Sequence, residues 1–305
     1  MGPTAAGKTE VALRLAEVLP VEIISVDSAQ VYRHLDIGTA KLEVAVREAV
    51  PHHLIDIRDP DEAYSAAEFH DDTLTLIEQI NQRGRIPVLA GGTMLYFSSL
   101  MRGLSAMPPA DPKVRERLDA EAARTGWSVM HQRLARIDPE AAARIHPHDP
   151  QRIQRALEVY EISGRPLSDW HRQGRKPVIQ RPWLKLAIAP RQRADLHQRI
   201  ANRFRLMLEQ GLIEELRGLR QRYTLHAELP AMRSVGYRQA WQYLEGEFDE
   251  AGLVERGVAA TRQLAKRQYT WLRRESGLVW YDLNDREVTQ NITHTALAFV
   301  RRNGR

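Results

Sequence analysis

The sequence predicts an α/β protein, a parallel-sheet core interrupted by an all-helical insertion. Three observations carry that expectation. Residues Gly2 to Thr9 read GPTAAGKT, the G-x-x-x-x-G-K-T spacing of a phosphate-gripping P-loop, with a helical pattern directly after it. Short apolar, β-branched runs alternate with amphipathic stretches through the first third of the chain. From Asp111 to Gly174 that alternation stops, and no strand-like run returns until Leu184.

Taken in order, Gly2, Pro3, Thr4, Ala5, Ala6 and Gly7 form a tight turn whose backbone N–H groups converge on an anion. Lys8 adds a mobile positive charge, and Thr9 offers a hydroxyl to Mg2+. The helix expected over Glu10 to Leu19 carries Val11, Leu13, Leu15, Val18 and Leu19 and aims its positive end at the same anion. A P-loop should follow a buried strand, yet only Met1 precedes Gly2. The expectation is a truncated chain with Met1 as the last residue of that strand. Val21 to Val26 reads as a strand ending at Asp27, and His53 to Ile57 and Arg85 to Ala90 as further strands. Ser65 to Arg83 is helical, stopped by Gly84. This rhythm implies parallel strands with right-handed crossovers, so that Asp27 and Gly91-Gly92-Thr93 reach the carboxyl edge of the sheet beside the P-loop.

The insertion, residues 109–180, reads as amphipathic helices broken at Gly126, Asp138-Pro139, His146-Pro147 and Asp149-Pro150. Leu184 to Pro190 and Leu278 to Leu283 resume the strand pattern, with long helices between them. The core is therefore expected over 1–108 and 181–305.

The chain has 305 residues and no cysteine, which removes disulfides, thiolate zinc sites and cysteine nucleophiles. No apolar run approaches the ~20 residues of a membrane span, and no signal peptide is visible, so a soluble cytoplasmic protein without a membrane partner is expected; that it is a monomer is a separate assumption. Net charge is +5 but unevenly spread. Residues 1–108 carry −6, residues 109–180 carry +3 and residues 181–305 carry +8. An acidic P-loop third joined to basic parts points to a polyanion such as nucleic acid, although arginine-rich helices are also ordinary solvated faces.

Nucleotide hydrolases usually end the strand beside the P-loop in a carboxylate, whereas IPVLAGGT ends in glycines and Thr93. Asp27 is the carboxylate at a strand end near the loop. It is a magnesium ligand, a general base, or a turn cap before Ser28. Thr93 presents a hydroxyl at a helix start, where an N-cap is the simple role. His52-His53 and His146/His148 lack acidic or cysteine partners at ligand spacing and do not read as a metal site.

The stretches GPTAAGKT, ISVDSAQVYRHLDIGTAK, PHHLIDI, GGTMLY, DPQRIQRALEVYEISG, SVGYRQ and TRQLAKRQYTWLRR together resemble the bacterial tRNA dimethylallyltransferase family over essentially the whole chain. That resemblance implies a P-loop kinase-like core. It further implies transfer of the dimethylallyl group from dimethylallyl diphosphate to the exocyclic amine of the adenosine 3′ to the anticodon. The P-loop, residues Gly2 to Thr9 with magnesium on Thr9, would then hold a leaving group, assisted by Arg203. Asp27 matches the family's base, and Thr93 its positioning neighbour. Contacts to the tRNA anticodon stem-loop carry over onto Asp27, Ser28, Ala29 and Gln30, onto Arg115, and onto Gln151, Arg152, Ile153, Gln154 and Arg155. They also carry over onto Arg233, Ser234, Val235, Gly236, Tyr237 and Arg238, and onto Lys266, Arg267, Gln268, Tyr269, Thr270, Trp271, Leu272 and Arg273. The last segment stands out without the family, because basic residues interleave with Tyr269 and Trp271 on one helix. Either aromatic is equally a core residue. A small-molecule kinase would leave the basic insertion without a task. An enzyme acting on free adenosine phosphates would not need the basic C-terminal part. A binding module with a vestigial site would not need Lys8, Thr9 and Asp27 intact.

Overall fold

A computed structural model describes residues 1–173 and 182–303. The chain divides into two compact units, Met1–Ser99 with Arg181–Arg305, and Leu100–Gln180. The expected end of the insertion, after Gln173, and the expected restart of the core at Arg181 lie outside the described residues.

In the first unit, α1 (Lys8–Ala16) leads into β1 (Val21–Val26). The helix ends earlier than the apolar pattern predicted, because Glu17 to Pro20 turn the chain back into β1. Then follow α2 (Val44–Ala49), β2 (His52–His53), α3 (Ala66–Gln82), β3 (Ile86–Gly91) and α4 (Met94–Arg102), whose last residues fall in the second unit. β1 is buried along its whole length, as its apolar, β-branched sequence requires. It pairs in parallel with β2 on one side and β3 on the other. Register with β3 runs from Val21 opposite Ile86 to Val26 opposite Gly91, so Asp27 and Gly92 leave the sheet side by side. Gly91 is required there: a Cβ would stand 2.1 Å from the Val26 carbonyl oxygen. α3 starts with a Ser65/Glu68 capping box and is followed by Gly84 at φ +69.

The strand expected over His53 to Ile57 is corrected to His52–His53. Leu54 and Asp56 take φ of 61° and 57°, and the amides of Asp56, Ile57 and Arg58 donate to the carbonyls of Gln30 and Val31 instead of continuing the ladder. The Asp56 carboxylate is drawn to Lys41 (2.5 Å) and Arg47 (2.7 Å), which fixes this detour.

The second unit holds α5 (Pro112–Thr125), α6 (Trp127–Ile137), α7 (Pro139–Arg144), α8 (Pro150–Ser163) and α9 (Leu167–Arg172). Three Asp-Pro pairs, two of them expected as breaks, are helix starts. Asp111, Asp138 and Asp149 each accept the amide of a first-turn residue, while the following proline occupies a position whose N–H would be orphaned anyway. The core of this unit is built from Leu118, Met130, Leu134, Ile153 and Leu157.

The first unit resumes with β4 (Lys185–Ala189), α10 (Arg193–Glu209), α11 (Leu212–Arg222), α12 (Tyr237–Leu244), α13 (Glu250–Leu272), β5 (Leu278–Asp282) and α14 (Val288–Arg302). β4 and β5 pair in parallel. Met1 engages β4 in strand fashion, its amine donating to Leu186 O at 2.8 Å and its carbonyl accepting from Ile188 N at 3.0 Å. Val11, Leu15, Ile188 and Ile292 join α1, β4 and α14 in one apolar cluster.

Candidate active site

Gly7 at φ 64° and Ala5 at φ 62° curl residues 2–9 into a loop that ends at the N-terminus of α1. Lys8 folds back across it, its Nζ donating to the Pro3 carbonyl at 2.7 Å. Burial lowers the Lys8 pKa to about 8, with the Asp27 charge raising it and Arg203 lowering it further. Opposite stands α10, where Ile200, Arg203, Phe204 and Met207 fall on one face by i, i+3, i+4, i+7 spacing. Burial lowers the Arg203 pKa too, partly offset by Asp27. Arg203 donates to Thr39 O at 3.4 Å, and one turn earlier Arg199 Nε donates to Ala5 O at 3.0 Å. Among the described residues neither Lys8 nor Arg203 has a carboxylate in salt-bridge contact. Two desolvated cations thus face a cavity of about 620 Å³ without a counter-charge in contact. That arrangement favours an anionic ligand.

The sheet edge supplies the other side. Asp27 caps its turn with Oδ1, accepting from the Ala29 and Gln30 amides at 2.8 and 3.3 Å, and it lines the cavity as well. The turn-cap and site readings of Asp27 are therefore compatible. Thr93 takes the expected N-cap position, its carbonyl accepting the first amides of α4, while its hydroxyl accepts the Ser28 amide at 3.0 Å rather than capping the helix, so the two roles are compatible. α13 closes the cavity with Thr261, Leu264, Gln268 and Trp271, again one helix face.

The family model described as IPP transferase matches residues 30–275. The chain is 61% identical to the tRNA dimethylallyltransferase of Alkalilimnicola ehrlichii, across 91% of this chain and 87% of that one. It is 55% identical to the enzyme of the same name from Nitrosococcus oceani, across 94% and 91%. A solved Bacillus halodurans tRNA isopentenylpyrophosphate transferase superposes with TM-score 0.71 at 35% identity, covering 99% of this chain and 95% of that one. A eukaryotic dimethylallyltransferase acting on tRNA reaches TM-score 0.83 at 28% identity, covering 99% and 78%. The chain belongs to the IPP transferase family.

Of the expected site residues, Thr4, Ala5, Lys8, Thr9, Asp27 to Gln30, Thr93, Arg203, Arg233 to Gly236, Arg267, Gln268 and Trp271 all line the cavity. Four expected RNA contacts are corrected by burial, one of them Gln268, 7% exposed with its amide bonded to Thr4 and Gly92. Ile153 and Tyr237 are 0% exposed and Leu272 1%, so these side chains are packing residues. Tyr237 donates to Glu215 at 2.5 Å, and Glu215 also accepts the Asp36 and Ile37 amides, which anchors the loop carrying Thr39. In the helical unit, Arg115 and Arg155 both pair with the fully buried Glu158 at 2.8 and 2.6 Å, and Gln154 donates to Asp119 at 2.6 Å. Burial pushes the Glu158 carboxyl up, but those two guanidiniums and the Asp111 amide outweigh it and hold the group below its ordinary range. Gln151 and Arg152 are exposed, as are Arg238, Lys266, Thr270 and Arg273, while Tyr269 stacks on Trp280 with ring centroids 6.4 Å apart.

Sequence reasoning missed Arg199, which the i, i+4 spacing from Arg203 would have found. It also missed the apolar wall of Ile200, Phe204, Met207 and Leu264, whose helical pattern is indistinguishable from a core face. For magnesium, no cluster of three acidic, histidine or cysteine ligands occurs among the described residues. Mg2+ is commonly held by one or two protein oxygens plus substrate phosphates. The exposed Thr9 hydroxyl at the head of α1 fits that donor set.

Proposed function

We propose that this cavity transfers the dimethylallyl group of dimethylallyl diphosphate to the exocyclic amine of the adenosine 3′ to the anticodon of a tRNA, with release of diphosphate. One observation carries the reading: two unpaired cations face Asp27 across a cavity with an apolar wall. The loop of residues 2–9, Lys8 and Arg203 hold the diphosphate, with Arg199 in reach through Ala5. Thr9 would hold Mg2+, which adds charge neutralisation when bound. The five-carbon tail lies along Ile200, Phe204, Met207 and Leu264, where water is excluded. As the C–O bond to diphosphate breaks and the C–N bond forms, positive charge on the allyl carbon is relieved by the amine, and Asp27 accepts the amine's proton. Thr93, tied to Ser28, keeps that edge in place. The adenine must be turned out of its stack to reach this depth. The parallel β2-β1-β3 order, with residues 2–9 beside its carboxyl edge, supports a P-loop kinase-like core. Among the described residues no helix is long and apolar enough to cross a membrane.

The test is incubation with labelled dimethylallyl diphosphate and either bulk tRNA or adenosine monophosphate. Label entering tRNA alone is expected. Label entering the mononucleotide instead, or ATP-dependent phosphoryl transfer with stoichiometric ADP release, would overturn the reading.

A further inference from the structure

Gln268 sits on α13, 7% exposed, between the two halves of the site. Its Oε1 accepts the Thr4 amide at 2.8 Å, and its Nε2 donates to the Gly92 carbonyl at 2.9 Å. Those partners fix the orientation of the amide, since a backbone N–H can only donate and a carbonyl can only accept. Gly92 has no side chain to obstruct this approach: a Cβ there would lie 2.5 Å from Gln268 Nε2. From Gly92 the connection continues to the base. The Gly92 and Thr93 amides both donate to Val26 O at 3.2 and 3.1 Å, and Thr93 Oγ1 holds the amide of Ser28, the neighbour of Asp27. The diphosphate loop and the base-bearing sheet edge are therefore joined by one side chain.

We propose that Gln268 is a positioning residue that sets the distance between the diphosphate loop and Asp27, and so the spacing of leaving group and amine. This rests on the function proposed above. No shorter polar side chain spans both partners. An asparagine at this position would reach one at a time, and an apolar side chain of the same length would reach neither. Because the same helix carries Arg267 and Trp271 on the cavity lining, movement of α13 would be felt by the loop through this bond. A misplaced loop still ionises the donor, but the allyl cation then meets water more often than the amine.

The experiment compares Gln268→Met and Gln268→Asn with the unaltered protein, using labelled dimethylallyl diphosphate and bulk tRNA. Prenylated tRNA and dimethylallyl alcohol are quantified separately, alongside thermal melting and tRNA binding. If the unaltered protein prenylates no tRNA, the proposed function fails, whatever Gln268 does. With that activity present, Gln268→Met is expected to lower the transfer kcat about 100-fold, as for a misplacement near 1 Å. The ratio of transfer to hydrolysis should fall in the order Gln, Asn, Met, while melting and tRNA affinity stay near those of the unaltered protein. An unchanged product ratio in both variants would overturn the proposal. So would a loss of transfer matched by the fraction of protein unfolded. If the Met variant does not fold, the Asn variant decides by the same two readouts.

Discussion

Glu22 and Asp27 belong to one short stretch of chain, the first buried within β1 and the second just beyond its end, and their surroundings differ completely. Glu22 accepts from Arg83 at 2.9 and 2.7 Å and contacts His53 at 2.7 Å, with Arg85 at 3.7 Å. Hydrogen bonds from Arg83 lead the causes that hold its pKa at about 2, against the desolvation of its site. Asp27 has backbone amides for partners, while the cations nearest its cavity, Lys8 and Arg203, are held back from direct contact. At one end of the strand charge is neutralised within the fold. At the other it is left for a ligand to complete. A buried charge that lacks a partner in the free protein marks where the partner is a substrate.

Substitutions at the two ends should separate function from stability. Asp27→Asn keeps the turn cap and removes the base, so kcat should fall roughly 10²- to 10⁴-fold with tRNA binding and melting retained. Turnover near the unaltered level would leave Asp27 as a turn residue. Lys8→Ala should raise the donor KM and lower kcat by about 10- to 100-fold, in keeping with loss of charge-assisted bonds, with tRNA affinity unchanged. Equal donor kinetics would remove residues 2–9 from the site.

Glu22→Gln should do the opposite, costing about 1.5–3 kcal/mol of stability with normal turnover in the folded fraction. Its pH signature follows from the depressed pKa. The carboxylate's contribution is complete above the unfolded value near 4.5 and is lost as pH falls toward about 2. Acid unfolding of the variant should therefore be less steep across that window, as monitored by circular dichroism.

A weaker effect is expected at Lys8 from pH alone. With its pKa at about 8, the free protein loses this cation as pH rises through that value, so kcat/KM for the donor should decline there. Bound diphosphate favours the charged form, so kcat should decline less. A flat kcat/KM profile to pH 9 would contradict the desolvation of Lys8. Smallest of all, replacing the exposed Lys266 and Arg267 with Ala should flatten the salt dependence of tRNA binding by about 0.7 per lost phosphate contact. The donor KM should be nearly unaltered, and an unchanged salt slope would place both charges outside the RNA contact.

Much of this site was legible in the sequence, for reasons that vary by residue. Residues 2–9 declare themselves because the chemistry needs fixed types at fixed spacing. Asp27 and Thr93 follow from the parallel rhythm, since strand ends of such sheets converge on one edge. Arg203 comes from family resemblance alone, since one arginine among the many of the C-terminal portion has no local mark. Charge counting also overstated what Arg115 and Arg155 leave free, because Glu158, from which both draw their partner oxygens, is distant from Arg115 in the chain. The irregular path after His53 was hidden because apolar HLIDI satisfies a strand pattern, whereas Lys41 and Arg47 select the detour through Asp56.

The cavity face of α13 carries a further consequence. Thr261, Leu264, Gln268 and Trp271 follow each other at steps of three and four residues, and Gly257, one step earlier, accommodates the Phe204 ring. Over about 21 Å of helix axis, one rod thus indexes the apolar floor, the polar brace and the aromatic rim in sequence. In such a ruler an exchange disturbs one mark, whereas a change in numbering disturbs all that follow. Removing a single residue inside this span would rotate every later mark by about 100° away from the cavity. Family members should therefore keep the length of this segment along with Gly257 and Gln268, with insertions and deletions confined to the chain on either side.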